Sequence, residues 1–183
     1  MSFEIEKKNF LSKKDKSKKG RIDEKIIPLV NKINSFPNYY TTSSCAGRIK
    51  LFVPSKRKQD TKLIFVKHDK VTFNEINKNL KKLPKESVWF RQESFIIHVC
   101  CKTFEDAQRL LDISNNAGLK RAGIITTKNK IIVELISTEH FDTIIAKNGK
   151  LLITDSFLKI LTKEANKRLQ NNFEKLKKFE KFL

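Results

Sequence analysis

The chain is short of glycine, of cysteine and of long apolar runs, and each shortage removes a class of function. Its five glycines, at positions 20, 47, 118, 123 and 149, never fall as G-x-G, so neither a Rossmann dinucleotide loop nor a Walker A phosphate loop can be drawn. The glycine-rich loop of the most familiar adenosylmethionine-dependent methyltransferases is missing for the same reason. Three cysteines, Cys45, Cys100 and Cys101, make an odd number without C-x-x-C spacing. That supports neither a disulfide framework nor a zinc site, and it fits a reducing cytosol. Met1-Ser2-Phe3-Glu4-Ile5-Glu6 has no apolar h-region, and no uninterrupted apolar stretch approaches the ~18 residues needed to span a bilayer. The expectation is a soluble cytoplasmic protein with no membrane partner and no metal.

Positive charge is what the chain has in abundance. Lys and Arg number 39 against 20 Asp and Glu, a formal charge of +19, which points to a polyanionic partner such as nucleic acid. Thirty-two of the 39 are Lys, and Lys, Asn and Ile together make up about a third of the chain, as an AT-rich coding sequence favours, so part of the charge is compositional. The surplus is nevertheless uneven: Arg48 to Lys82 carries 11 basic and 3 acidic residues. Such a segment can track several phosphates, with binding that weakens steeply as salt rises. A run such as Lys56-Arg57-Lys58 is equally a solvated turn.

At 183 residues the expectation is one domain over 1–183, with a basic N-terminal segment at 1–20 and a C-terminal helix at 154–183. A short helix is expected around Phe3 to Leu11, followed by a basic linker ending at Gly20. Ile22, Ile26, Ile27, Leu29, Val30 and Ile33 recur at helical spacing, with Pro28 kinking that helix or marking its first turn. Strands are read at 49–53, 63–66, 88–90 and 95–101. Thr72-Phe73-Asn74-Glu75 is a capping box, opening a helix expected to reach Leu83-Pro84. Thr103-Phe104-Glu105-Asp106 starts another helix, which stops before Gly118. A hairpin follows at 123–135, then a short strand at 143–145, and from Thr154 one apolar stripe runs to Leu183. Strands joined by short turns favour antiparallel neighbours, so the class is α+β with a mixed or mainly antiparallel sheet flanked by helices.

Residues 39 to 48, Tyr39-Tyr40-Thr41-Thr42-Ser43-Ser44-Cys45-Ala46-Gly47-Arg48, concentrate hydroxyls, a thiol, a glycine and an arginine. Hydroxyls give donors and acceptors at short reach, Gly47 permits close backbone approach, and Arg48 offers a planar fork for phosphate or carboxylate. The block reads as a ligand cradle. Cys45 could act as a thiol nucleophile with His98 as its base; the blander reading is a half-buried residue in a tight loop. His98 lies between Ile97 and Val99 and so faces away from both, sharing its face with Cys100. His68, beside Asp69, and His140 are weaker candidates. Trp89, Phe90, Tyr39 and Tyr40 could stack on bases, although strand aromatics are more often core. Because Tyr39 and Tyr40 are adjacent, one of them is expected to be exposed beside the cradle.

Several blocks carry a resemblance in one order over nearly the whole chain. They are Lys19-Gly20 with Asp23-Glu24; Tyr40 to Ile49 with its Ser-Ser-Cys-x-Gly-Arg core; Ile97-His98-Val99; Ala107; Ala117-Gly118; Gly123-Ile124; Gly149-Lys150-Leu151; and Ala165-Asn166. Together they resemble the tRNA wybutosine-synthesising protein 3 family. The resemblance implies a cytosolic enzyme, archaeal or eukaryotic in type and outside the Rossmann methyltransferases. It would transfer a methyl group from S-adenosylmethionine to the N4 nitrogen of the 7-aminocarboxypropyl-demethylwyosine base beside the anticodon of phenylalanine tRNA. Cys100, Lys102, Ala122 and Ile136 depart from the pattern, standing where glutamine, arginine, serine and arginine are expected. On this reading Ser43, Ser44, Cys45 and Gly47 hold the cofactor, and Arg48, Lys50, Lys102 and Tyr40 contact the substrate. His98 accepts the proton, and the lysine-rich segments hold the anticodon arm. The rival readings are an RNA-binding module without catalysis and a Cys-dependent hydrolase.

Overall fold

The computed structural model of the chain describes residues 2–13, 22–57 and 60–183. Most of the expected basic linker up to Gly20, and Lys58 of the basic turn, lie outside them. Local signals place the helices. Helix α1 (Phe3–Leu11) starts at Ser2, whose hydroxyl accepts the Ile5 N–H. Helix α2 (Ile27–Ser35) is entered through a 3₁₀ turn at Glu24–Ile26, and Pro28 sits in its first turn, where a missing N–H costs nothing. Helices α3 (Phe73–Asn79) and α4 (Phe104–Asn116) both open on capping boxes, Thr72 with Glu75 and Thr103 with Asp106. Helix α3 stops short of the expected Leu83-Pro84. The Asn79 amide folds back on the Glu75 carbonyl at 2.8 Å, and Leu80 leaves the helical region at φ −95°, ψ 0°. Gly118, at φ +87°, follows the end of α4. Helix α5 (Asp155–Phe182) runs for 28 residues.

The strands are β1 (Tyr39–Cys45), β2 (Arg48–Val53), β3 (Lys62–Lys67), β4 (Val88–Glu93), β5 (Ile96–Cys101), β6 (Gly123–Thr126), β7 (Ile131–Ile136), β8 (Phe141–Lys147) and β9 (Lys150–Leu151). Their pairings among the described residues are all antiparallel, so the α+β, mainly antiparallel expectation stands. The strands make two sheets rather than one, a four-stranded sheet β1-β5-β7-β6 and a five-stranded sheet β3-β2-β4-β8-β9. Strands β1 and β2, and again β4 and β5, are linked by only two residues yet do not pair with each other. Neither Ala46-Gly47 nor Ser94-Phe95 has the residues of a two-residue hairpin turn, and Gly47 alone takes positive φ. Contacts group the chain into two compact units, Met1–Ala46 with Phe95–Thr138 and Asn172–Leu183, and Gly47–Ser94 with Glu139–Asn171.

In the first unit, alternation along β5 and β7 buries Ile97, Val99, Val133 and Leu135 on the side where α2 meets β1 and α4 meets β5 and β7. Burying each such side chain contributes about 1.5–3 kcal/mol. The other side carries a row of Tyr40, Cys100 and Ile132, with the Phe3 and Phe10 rings of α1 tilted against the Tyr40 ring at 5.4 and 5.3 Å between centres. Asn172, wholly buried, fixes the ends of two strands. Its Nδ2 donates to the Ala46 carbonyl at 2.9 Å and its Oδ1 accepts the Phe95 N–H at 2.7 Å, while Asp23 Oδ2 accepts the Ala46 N–H at 3.0 Å.

In the second unit Ile49, Leu51, Val88 and Phe90 are wholly buried on one side of the sheet. Leu158, Leu161, Ala165 and Leu169, at steps of three and four along α5, are buried as well. Asn166 pins this part of α5 through both backbone groups of Val71, at 2.8 and 2.7 Å.

Candidate active site

The hydroxyl block is a strand rather than a loop. Cys45, expected in a tight loop, is the last residue of β1, because Thr41 and, beyond a bulge at Thr42, the small residues Ser43 to Cys45 pair with β5. A register shift between Thr41 and Ser43 sets Ser43 opposite His98, and Glu134 of β7 lies opposite His98 on its other flank. Three side chains therefore line up across three strands. Ser43 Oγ is 3.2 Å from His98 Nδ1, and His98 Nε2 is 3.0 Å from Glu134 Oε2. With Nε2–H donating to the Glu134 carboxylate, the neutral ring presents Nδ1 as the acceptor for the Ser43 hydroxyl. Ser43 is exposed, and His98 and Glu134 are half-buried. The three strands thus set a histidine, flanked by a hydroxyl and a carboxylate, at the sheet surface.

Sequence reasoning found His98 and its face but missed Glu134. An acid inside the apolar run Ile131 to Ile136 was the available signal, but only the register of β5 against β7 gives it a partner. Ser44 pairs with Ile97 and turns to the helix-covered side, so Ser43 and Ser44 are not two halves of one cradle. Cys45 pairs with Ile96, so the hydroxyl of Ser43 and not the thiol stands at His98. Burial raises the Cys100 thiol and pushes Cys101 up to about 12, leaving neither a ready thiolate.

The exposed aromatic expected beside the block is not found at either tyrosine, since Tyr39 and Tyr40 are both buried. The Tyr39 hydroxyl donates to the Asp106 carbonyl at 2.9 Å. Tyr40 lies beneath α1, donating to Glu6 Oε1 at 2.7 Å and accepting from Lys130 Nζ at 3.0 Å, and Lys130 also pairs with Glu6. Burial, with the bonds to Cys100 and Glu6, drives the Tyr40 hydroxyl well above its usual range. Lys102 holds the same helix through Glu4 at 2.7 Å, and this bond is the leading reason the Glu4 carboxyl sits at about 2.

Gly47, Arg48 and Lys50 belong to the second unit. Gly47, at φ +94°, occupies backbone space that disfavours any side chain. Glu93 gathers the two cations: Arg48 Nε at 2.5 Å on Oε2 and Lys50 Nζ at 2.5 Å on Oε1. Burial alone would raise the Glu93 carboxyl, but the bonds and charges of Lys50 and Arg48 outweigh it and hold it below its ordinary value. Burial lowers the Lys50 ammonium. Arg48 thus stands half-buried with its fork oriented by a carboxylate, while Lys50 is sealed into the pair. A depression of about 270 Å³ is lined by Phe36, Tyr39, Arg109, Ile113 and Leu183. Tyr39 places it on the helix-covered side of the first sheet, away from His98.

A family model described as Methyltransferase TYW3 matches residues 5–183. The tRNA(Phe) 7-((3-amino-3-carboxypropyl)-4-demethylwyosine(37)-N(4))-methyltransferase 1 of Pyrococcus furiosus is 39% identical over 166 residues, covering 89% of this chain and 85% of the relative. A tRNA wybutosine-synthesizing protein 3 homolog from Danio rerio is 36% identical over 188 residues, covering 100% of this chain and 74% of the relative. Among solved structures, the PH1069 protein of Pyrococcus horikoshii matches with a TM-score of 0.89 at 36% identity, covering 98% of this chain and 93% of that one.

Proposed function

Because the chain belongs to the Methyltransferase TYW3 family, we propose that it methylates the N4 nitrogen of 7-(3-amino-3-carboxypropyl)-4-demethylwyosine in phenylalanine tRNA, with S-adenosylmethionine as donor. The substrate is the one printed in the name of its Pyrococcus furiosus relative. The observation that carries the mechanism is the Ser43, His98 and Glu134 line in a chain of this family. The three cysteines are in no disulfide among the described residues, which accords with a cytoplasmic setting. No helix among the described residues is long and apolar enough to cross a membrane.

The residues suit a sulfonium methyl donor, since Ser43 offers an exposed hydroxyl and Glu134 a half-exposed carboxylate of opposite charge. When bound, that donor supplies a methyl group already activated for displacement. The protein's part is alignment, exclusion of water and removal of one proton from the acceptor nitrogen. His98 Nδ1 takes that proton, directly or through the Ser43 hydroxyl, and Glu134 stabilises the resulting imidazolium. Arg48, oriented by Glu93, clamps a carboxylate or a phosphate of the tRNA.

Incubating the protein with precursor-containing tRNA and a tritium-labelled methyl donor is the test. Label in the tRNA at turnover or single-turnover level is expected; binding of the tRNA with no transfer at matched concentrations would leave an RNA-binding module instead. In the same assay Arg48→Ala is expected to lose more activity than Cys45→Ser, the reverse of what a thiol hydrolase requires.

A further inference from the structure

The second unit carries an open sheet face that the proposed chemistry does not use. Reading across the register, Leu63, Phe52, Trp89 and Ile144 form one row over β3, β2, β4 and β8, and Val66, Lys50, Arg91 and Asp142 form the next. Alternation sends both rows to the side opposite the buried Leu51 and Phe90. Leu63 is 45% exposed, Val66 40% and Ile144 37%, an unusual concentration of apolar area on a surface this charged. Phe52 forms the floor, with Lys50 Nζ 4.6 Å and Arg91 Cζ 4.7 Å from its ring centre.

We propose that this face is a platform for unpaired RNA bases, an inference that rests on the tRNA substrate proposed above. The charges on the face select bases over phosphates. Within the two rows Lys50 is bound to Glu93, and Arg91 is bound to Asp142 through Nε at 2.9 Å, so the cations among these residues are pinned and paired. What the face offers is the indole of Trp89, the guanidinium plane of Arg91 and three exposed aliphatic side chains, a surface on which any base can stack. Phosphates find their partners at its border. The apolar row ends one residue pair before the β2–β3 turn, where Lys56 and Arg57 are exposed, and Lys62 closes that end of β3. Bases stacked on the sheet with backbone along a basic turn is the arrangement by which single-stranded RNA is held without a sequence code.

Trp89 is the chain's one tryptophan, so its emission reports on this face alone. The experiment titrates the full chain with a transcribed anticodon stem-loop of phenylalanine tRNA and, separately, with a fully paired RNA duplex of the same length. The stem-loop is expected to quench Trp89 saturably and the duplex is not. Leu63→Glu and Ile144→Glu, both exposed and so harmless to folding, are expected to weaken stem-loop binding about tenfold or more by anisotropy, at an unchanged melting temperature. Ile125→Glu, equally exposed on β6 of the first unit, is the control and is expected to change nothing. Stem-loop binding that survives both Glu variants, or equal quenching by the duplex, overturns the platform while leaving the methyltransferase reading intact. A Leu63→Glu change that splits a dimer in sedimentation without altering RNA affinity overturns it in favour of self-association. Absence of any binding by the unaltered protein overturns the platform, while the methyltransferase reading is decided separately by label transfer to precursor-containing tRNA.

Discussion

His98 is held from both ring nitrogens, and that makes its contribution separable from its neighbours'. Replacing it with Ala removes the proton acceptor but no core volume, so single-turnover methyl transfer is expected to fall by roughly 10²- to 10⁴-fold with tRNA affinity little changed. Glu134→Gln keeps the shape but withdraws the charge that fixes the Nε2 proton and balances the imidazolium. The expected loss is smaller, about tenfold, and the pH dependence of kcat should move as well. A merely structural Glu134 would leave that profile in place. Of this site, the sequence displayed His98 and the side it faces, because a period of two needs only neighbours in the chain. It could not display Glu134, whose partner is set by the register of β5 against β7, or say which of Ser43 and Ser44 meets His98, which is set by a register shift between Thr41 and Ser43 that no local pattern encodes.

Among the elements, α1 is the one whose attachment is mainly polar. None of its residues is buried, and it is tied down by Lys102 on Glu4, Lys130 and Tyr40 on Glu6, Lys7 on the Phe36 carbonyl, and two rings laid over Tyr40. The Glu6 carboxyl is lowered first by the Lys130 bond and then by the Tyr40 hydroxyl. Its folded value lies below its free value of 4.5, so the stabilisation is present above that pH and is lost as the pH falls through the folded value. Hydrogen exchange should show α1 amides losing protection below about pH 4 while β5 and β7 stay protected, and Glu6→Gln should reproduce that loosening at neutral pH. The helix itself was expected around Phe3 to Leu11; its docking was not legible, since Lys102 and Lys130 lie about a hundred residues away. Helix α3 shows the opposite limit: Thr72 and Glu75 announced its start, whereas its end depends on an Asn79 side chain competing for a carbonyl.

At the scale of the whole molecule, charge sets two responses of opposite sign. With 39 basic and 20 acidic residues the folded chain repels itself, so its melting temperature should rise as salt is added. The same salt should weaken tRNA binding, by at least about tenfold between 50 and 200 mM if the basic segment neutralises several phosphates. Measuring both on one preparation checks the pair, and parallel movement would contradict it. The α+β class was legible because capping boxes and alternating strands are local. The division into two sheets was not, because the pairings of β1 with β5 and of β4 with β8 join strands far apart in sequence.

Asn172 makes the hydroxyl block dependent on sequence far from it. Its side chain supplies the partners for the Ala46 carbonyl and the Phe95 N–H, which bound the strands carrying Ser43 and His98, across separations of 126 and 77 residues. Those two buried backbone groups have no other route to satisfaction in the sequence around them, so the ends of β1 and β5 are held from α5 and loosen together when Asn172 is lost.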